Sequence, residues 1–81
     1  MPYIEQSRRD EIDYILKEME ECKIEANGDL NYLLFKYAKY NIPLSYNSIK
    51  NYIGELRQCA SEIERVILGP YEQKKSEENP V

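Results

Sequence analysis

Eighty-one residues at a net charge of −4 support one small domain, and two independent cores are excluded by size. The composition, 42% hydrophobic and 32% charged, is that of a folding chain rather than a disordered one, and no run approaches the ~18 apolar residues of a membrane span. There is no histidine, which rules out Ser-His and Cys-His nucleophile pairs and leaves zinc only the two thiols of Cys22 and Cys59; the negative average field disfavours polyanions unless basic residues are segregated into a patch.

The N-terminal stretch MPYIEQSRRDE lacks the apolar core of a secretory leader, so a cytoplasmic protein is expected. Loss of Met1 would expose Pro2 as a secondary amine of the kind tautomerases use, but those enzymes place it on a strand of a β-α-β unit, and no strand pattern occurs here. The first helix is expected over about 7–24, where Ile12, Ile15, Leu16, Met19 and Cys22 recur at helical spacing. Ser7 and Asp10 approximate a capping box. Arg8 and Arg9 sit beside the positive end of the helix dipole, at a cost of about 0.3–1 kcal/mol, so they are expected to pair with Glu5, Asp13 or a carboxylate of another helix, or to contact an anion. Tyr14 projects away from the apolar stripe.

The turn signal EANGD, Glu25 to Asp29, separates this helix from a second, expected over 29–41. Projected at about 100° per residue, Leu30, Leu33, Leu34, Tyr37, Ala38 and Asn41 form one stripe, with Tyr40 on its shoulder. Tyr32, Phe35, Lys36 and Lys39 lie on the other side. Tyr37 is expected in the core; Tyr32 and Phe35, joined by Tyr14, are either covered by the fold or form a patch for self-association.

In NIPLS, Pro43 disfavours helix at Ile42, Ser45 is a natural N-cap, and Leu44 with Ile49 occupies the positions of a hydrophobic staple. The third helix is expected over 46–68: Ile49, Ile53, Leu56, Ala60, Ile63 and Ile67 alternate at spacings of four and three, opposite a polar face that includes Lys50, Glu55, Gln58 and Arg65. Gly69-Pro70 is expected to end or kink it, followed by a short, weakly held helix and a frayed end. Both cysteines fall on apolar faces and are expected as buried thiols.

The predicted fold is therefore all-α, a three-helix antiparallel bundle forming one domain over 1–69, with residues 70–81 as short helix and tail. Glu18, Glu21 and Glu25, with Asp10 and Asp13, are spaced to share a magnesium ion, but such sites need facing acidic pairs on two helices; Glu55, Glu62 and Glu64 point mostly to solvent on the third helix. No catalytic residue, metal ligand or cofactor is assigned, and an enzyme is not expected. Nucleic-acid contact has suitable residue types in Tyr32, Phe35, Lys36 and Lys39, with Arg8, Arg9 and Lys50, but the same pattern describes an ordinary helix surface.

PYIEQSRRDEID at 2–13, GDLNYLLFK at 28–36, YNSIKNYIGELRQCASEIERV at 46–66 and PYEQKKSEEN at 70–79 resemble, in this order, a family of short uncharacterised prokaryotic and phage proteins classed as a domain of unknown function. The resemblance brings no activity. It directs attention to Arg9, Asp13, Asn31, Tyr71 and Glu72 as a polar cluster, whose plainer alternative is a structural network. The expected function is a small interaction module, a homodimer through Tyr14, Tyr32, Phe35, Lys36 and Lys39, with a phage-type accessory protein touching nucleic acid as the alternative.

Overall fold

The computed structural model describes residues 4–78 and is all-α: α1 (Gln6–Glu21), α2 (Gly28–Asn41), α3 (Tyr46–Ile63), a π-helical turn over Glu64–Leu68, and α4 (Gly69–Glu78). No strand occurs among the described residues, and no helix there is long and apolar enough to cross a membrane. Pro2 and the expected frayed end past Glu78 lie outside the described residues. The chain falls into two compact units, one holding α1 and α2 and ending at Ile42, the other starting at Pro43 and holding α3 to α4.

The start of α1 corrects the expected capping box. Glu5 is the N-cap, in extended conformation and without a side-chain cap bond, and its carbonyl accepts the amides of Arg8 and Arg9 at 3.0 Å each. Ser7 is consequently inside the first turn, while Asp10 accepts a hydrogen bond from Gln6 Nε2 at 3.0 Å. At the other end Lys23 has φ 56°, the left-handed region. Its amide donates to the Glu20 carbonyl and that of Ile24 to the Met19 carbonyl, both at 3.1 Å, which is a Schellman closure with lysine where glycine is usual. Met19 and Ile24, the positions such a closure brings together, are both partly buried.

α2 opens on Asn27, whose side-chain oxygen accepts the Asp29 amide at 2.8 Å; the Asp29 carboxylate reaches back to the Glu25 amide at 3.4 Å. Asn-Gly thus supplies a cap as well as a turn. The helix ends before Pro43, as the restriction on the residue preceding proline dictates, with Ile42 extended at ψ 127°. α3 starts as expected on Ser45, whose Oγ accepts the Ser48 amide at 3.2 Å. The staple does not form: Leu44 is 98% exposed.

The helical run 46–68 and a short helix after it are as expected, but Gly69-Pro70 puts no loop between them. Gly69 is right-handed, φ −58°, and its amide donates to the Glu64 carbonyl five residues back, so α3 passes through the π turn into α4 without a loop. Pro70 has no amide, and in a regular α-helix its ring would strike the carbonyl of Val66. The wider turn takes in one extra residue and moves that carbonyl aside. Glycine suits the tightened wall: a Cβ at Gly69 would lie 3.2 Å from the Glu64 carbonyl oxygen.

No described residue is fully buried. On α2 the most covered line is Leu30, Leu34, Ala38 and, just past the end, Ile42, each four residues on from the last. Tyr37 lies to one side of that line and is 53% exposed, so it is not the core aromatic expected. Cys22 and Cys59 are likewise exposed free thiols rather than buried ones, Cys22 because it caps α1 and Cys59 because it flanks the α3 stripe.

Candidate interaction surface

The outer side of α2 holds four of the residues singled out from sequence. Tyr32 and Phe35 are 64% and 67% exposed, against the half-buried Leu30–Leu34–Ala38 line of the same helix. Lys36 folds back one turn: its Nζ donates to the Tyr32 hydroxyl at 2.8 Å and lies 5.2 Å from the ring centroid. Lys39 instead leans over Tyr40, 5.6 Å from its ring. Lys36 reaches Tyr32 across the spacing of four and Lys39 reaches its immediate neighbour Tyr40, so the lysines shield these tyrosine faces and leave Phe35 as the open apolar surface. A shallow groove runs beside them, lined by Tyr32, Leu33, Lys36, Tyr37, Tyr40 and Asn41.

Tyr14, on α1, is 69% exposed. Of the arginine pair, Arg8 finds Glu11 at 3.0 Å, one turn on and neither of the expected partners. Both side chains are well exposed, so the pair contributes at most ~0.5 kcal/mol, enough to offset part of the dipole penalty. In the polar cluster, no side-chain hydrogen bond or ion pair among the described residues joins Arg9, Asp13 and Asn31, which all belong to the α1–α2 unit. Tyr71 and Glu72 belong to the other unit, on α4, where Lys75 lies 5.9 Å from the Tyr71 ring.

Sequence reasoning passed over Glu62 as a solvent-facing carboxylate. Its side chain is 16% exposed and accepts from Arg65 Nη2 at 2.7 Å across the start of the π turn. Partial burial pushes its carboxyl up, but positive neighbours outweigh this, the Arg65 guanidinium foremost, and hold it below its usual 4.5. The signal was there in the i, i+3 spacing of Glu62 and Arg65; the recession of the carboxylate was not. The second groove of note lies on α3 and is lined by Ile49, Lys50, Ile53, Gly54 and Arg57 among others, with Lys50 leaning over Tyr46 at 5.8 Å.

Along these grooves α2 and α3 present apolar and aromatic side chains edged with lysine and arginine. Comparison with curated proteins and with solved structures finds no match. Residues 1–80 match the family described as Domain of unknown function (DUF6899), and the chain belongs to that family.

Proposed function

We propose that the protein is a small non-enzymatic helical interaction module of the cytoplasm that pairs with itself through the aromatic side of α2. The observation that carries this reading is the exposure of Tyr32 and Phe35, at 64% and 67%, on a helix with no buried residue. Aromatic side chains at this exposure gain most from a partner, since each offers well over ~100 Å² of apolar surface at ~25 cal/mol per Å². In this reading the antiparallel bundle expected from the α1, α2 and α3 stripes is completed by helices from two copies. The alternative, a phage-type accessory protein contacting nucleic acid, has less in its favour: Arg8 is engaged by Glu11 and Lys36 by Tyr32.

Sedimentation equilibrium over micromolar concentrations tests the proposal. Phe35→Glu should weaken self-association at least about tenfold while leaving helix content intact. Unchanged association of that variant, or a wild-type chain that stays monomeric at hundreds of micromolar, defeats it. Binding of short DNA that weakens with rising salt would point to the alternative instead.

A further inference from the structure

Asn27 is the one asparagine of the chain followed by glycine: Asn31 and Asn51 precede tyrosine, Asn41 isoleucine, Asn47 serine and Asn79 proline. The dipeptide matters for chemistry as well as for turning. The carboxamide carbon Cγ of an asparagine can be attacked by the amide nitrogen of the next residue, and glycine puts no Cβ in the way. Such a ring, closed through Cγ, Cβ, Cα, the carbonyl carbon and the next nitrogen, needs that nitrogen to eclipse Cβ, which tetrahedral geometry at Cα sets at a ψ of about −120°. Asn27 has ψ −144°, close to it. Helical residues, at a ψ of about −42°, hold the two atoms well apart, and Asn31, Asn41, Asn47 and Asn51 all lie within α2 or α3.

The reacting groups are also prepared. Gly28 opens α2, a position whose amide has no helical acceptor, and no hydrogen bond from that amide occurs among the described residues. The nucleophile is therefore uncommitted. Asn27 Oδ1 accepts the Asp29 amide at 2.8 Å, which polarises Cγ and stabilises the negative charge that develops on this oxygen during attack. Nδ2, the nitrogen that must leave, donates to Glu25 Oε2 at 3.1 Å. Together the two bonds hold the carboxamide against the start of the helix. Asn27 and Gly28 are both exposed, so water reaches them.

We propose that Asn27 is a site of intramolecular deamidation, a one-way covalent change that the local structure sets up. It stands independently of the self-association reading. The Gly28 amide gives its proton to a solvent base and its nitrogen bonds to Cγ; the bond from Cγ to Nδ2 breaks, and Nδ2 takes up a proton and leaves as ammonia. Water then opens the five-membered imide, giving aspartate when the new bond to Cγ is cut and isoaspartate when the main-chain carbonyl is cut from the Gly28 nitrogen. The sum is asparagine and water giving a carboxylate and ammonium, with nothing oxidised or reduced. Both products disturb the start of α2. Where Nδ2 donated to Glu25, a carboxylate now faces a carboxylate, with Asp29 two residues on. In isoaspartate the chain also runs through Cβ and Cγ, which displaces the carbonyl that accepts the Asn31 amide at 3.2 Å.

The full chain, incubated at neutral and at mildly alkaline pH, tests this by intact mass and by chromatography of the peptide that spans Asn27. A gain of about one dalton should appear at Asn27 first, at least about tenfold faster than at Asn47, the asparagine followed by serine. It should quicken at the higher pH, because the attacking nitrogen must lose its proton. The folded chain should react at Asn27 no more slowly than the same chain in urea, since the fold supplies the ψ angle and the Asp29 donor. Gly28→Ala should slow the reaction at least about tenfold and still fold, as a Cβ there meets nothing within 4 Å. An Asn27 that stays intact in the folded chain while reacting in urea overturns the proposal. So does a Gly28→Ala chain that reacts at the wild-type rate.

Discussion

Lys23 and Gly69 stand at two places where a helix is due to stop, and their residue types are the reverse of what each place asks. Lys23 takes the left-handed conformation that closes α1, at φ 56°, where glycine is the usual occupant. Gly69 is right-handed at φ −58° and lets the helix run on. The difference teaches that a helix end is decided by which hydrogen bonds can close, with residue preference as a correction. At Lys23 two amides close onto Glu20 and Met19 at 3.1 Å, which outweighs the ~1–2 kcal/mol that a side chain costs in the left-handed region. At Gly69 a five-residue closure onto Glu64 keeps the chain helical past a proline.

The largest test removes the cause of the second case. Pro70→Ala restores an amide, and the π turn should revert to regular α-helix with a gain of up to ~3 kcal/mol in helix stability. Far-UV circular dichroism on urea titration reads the gain, and carbon chemical shifts over 64–68 read the change of turn. A variant that keeps the π turn would show that its own packing, not the proline, maintains it. Next in size, Lys23→Gly should stabilise the α1 end by about 1 kcal/mol, seen as a raised denaturation midpoint. A loss instead would mean the lysine side chain makes a contact worth more than the strain.

The smallest effect concerns Glu62, whose carboxyl is held below 4.5 in the folded chain. A depressed carboxyl contributes stability that is present above its unfolded value and is lost as pH falls through the folded one. Melting temperature should therefore decline below about pH 4.5, and Glu62→Gln should flatten that part of the profile. An identical acid limb in the variant would place the pH dependence on other carboxylates.

The helices were legible because their boundaries are made by local chemistry. Ser45 caps α3 through its own hydroxyl, and Pro43 forbids helix before it, facts that need no tertiary context. Burial was less legible. Tyr37 and the cysteines were placed by helical projection, which fixes an angle around a helix axis but not what stands opposite that angle. At Gly69-Pro70 the boundary at 68 was legible but its form was not: a wider turn absorbs the proline ring and the chain stays helical through it. On α2 helical projection set Tyr32 and Phe35 off the apolar stripe but left open whether the fold covers them; their exposure and the engagement of Lys36 with the Tyr32 hydroxyl required coordinates.

The π turn carries one more consequence, as an angle. A single extra residue in a helix rotates everything beyond it by about 100° relative to an uninterrupted α-helix. Without the turn, the rhythm of α3 would carry Pro70 and Lys74 onto the apolar line; with it, Leu68 and Tyr71 come round in their place. Reverting the turn to regular α-helix with every residue kept, the change expected of Pro70→Ala, would thus turn α4 by more than a quarter of a revolution, so that which side of the C-terminal helix meets a partner is set by the hydrogen-bond pattern over Glu64–Leu68.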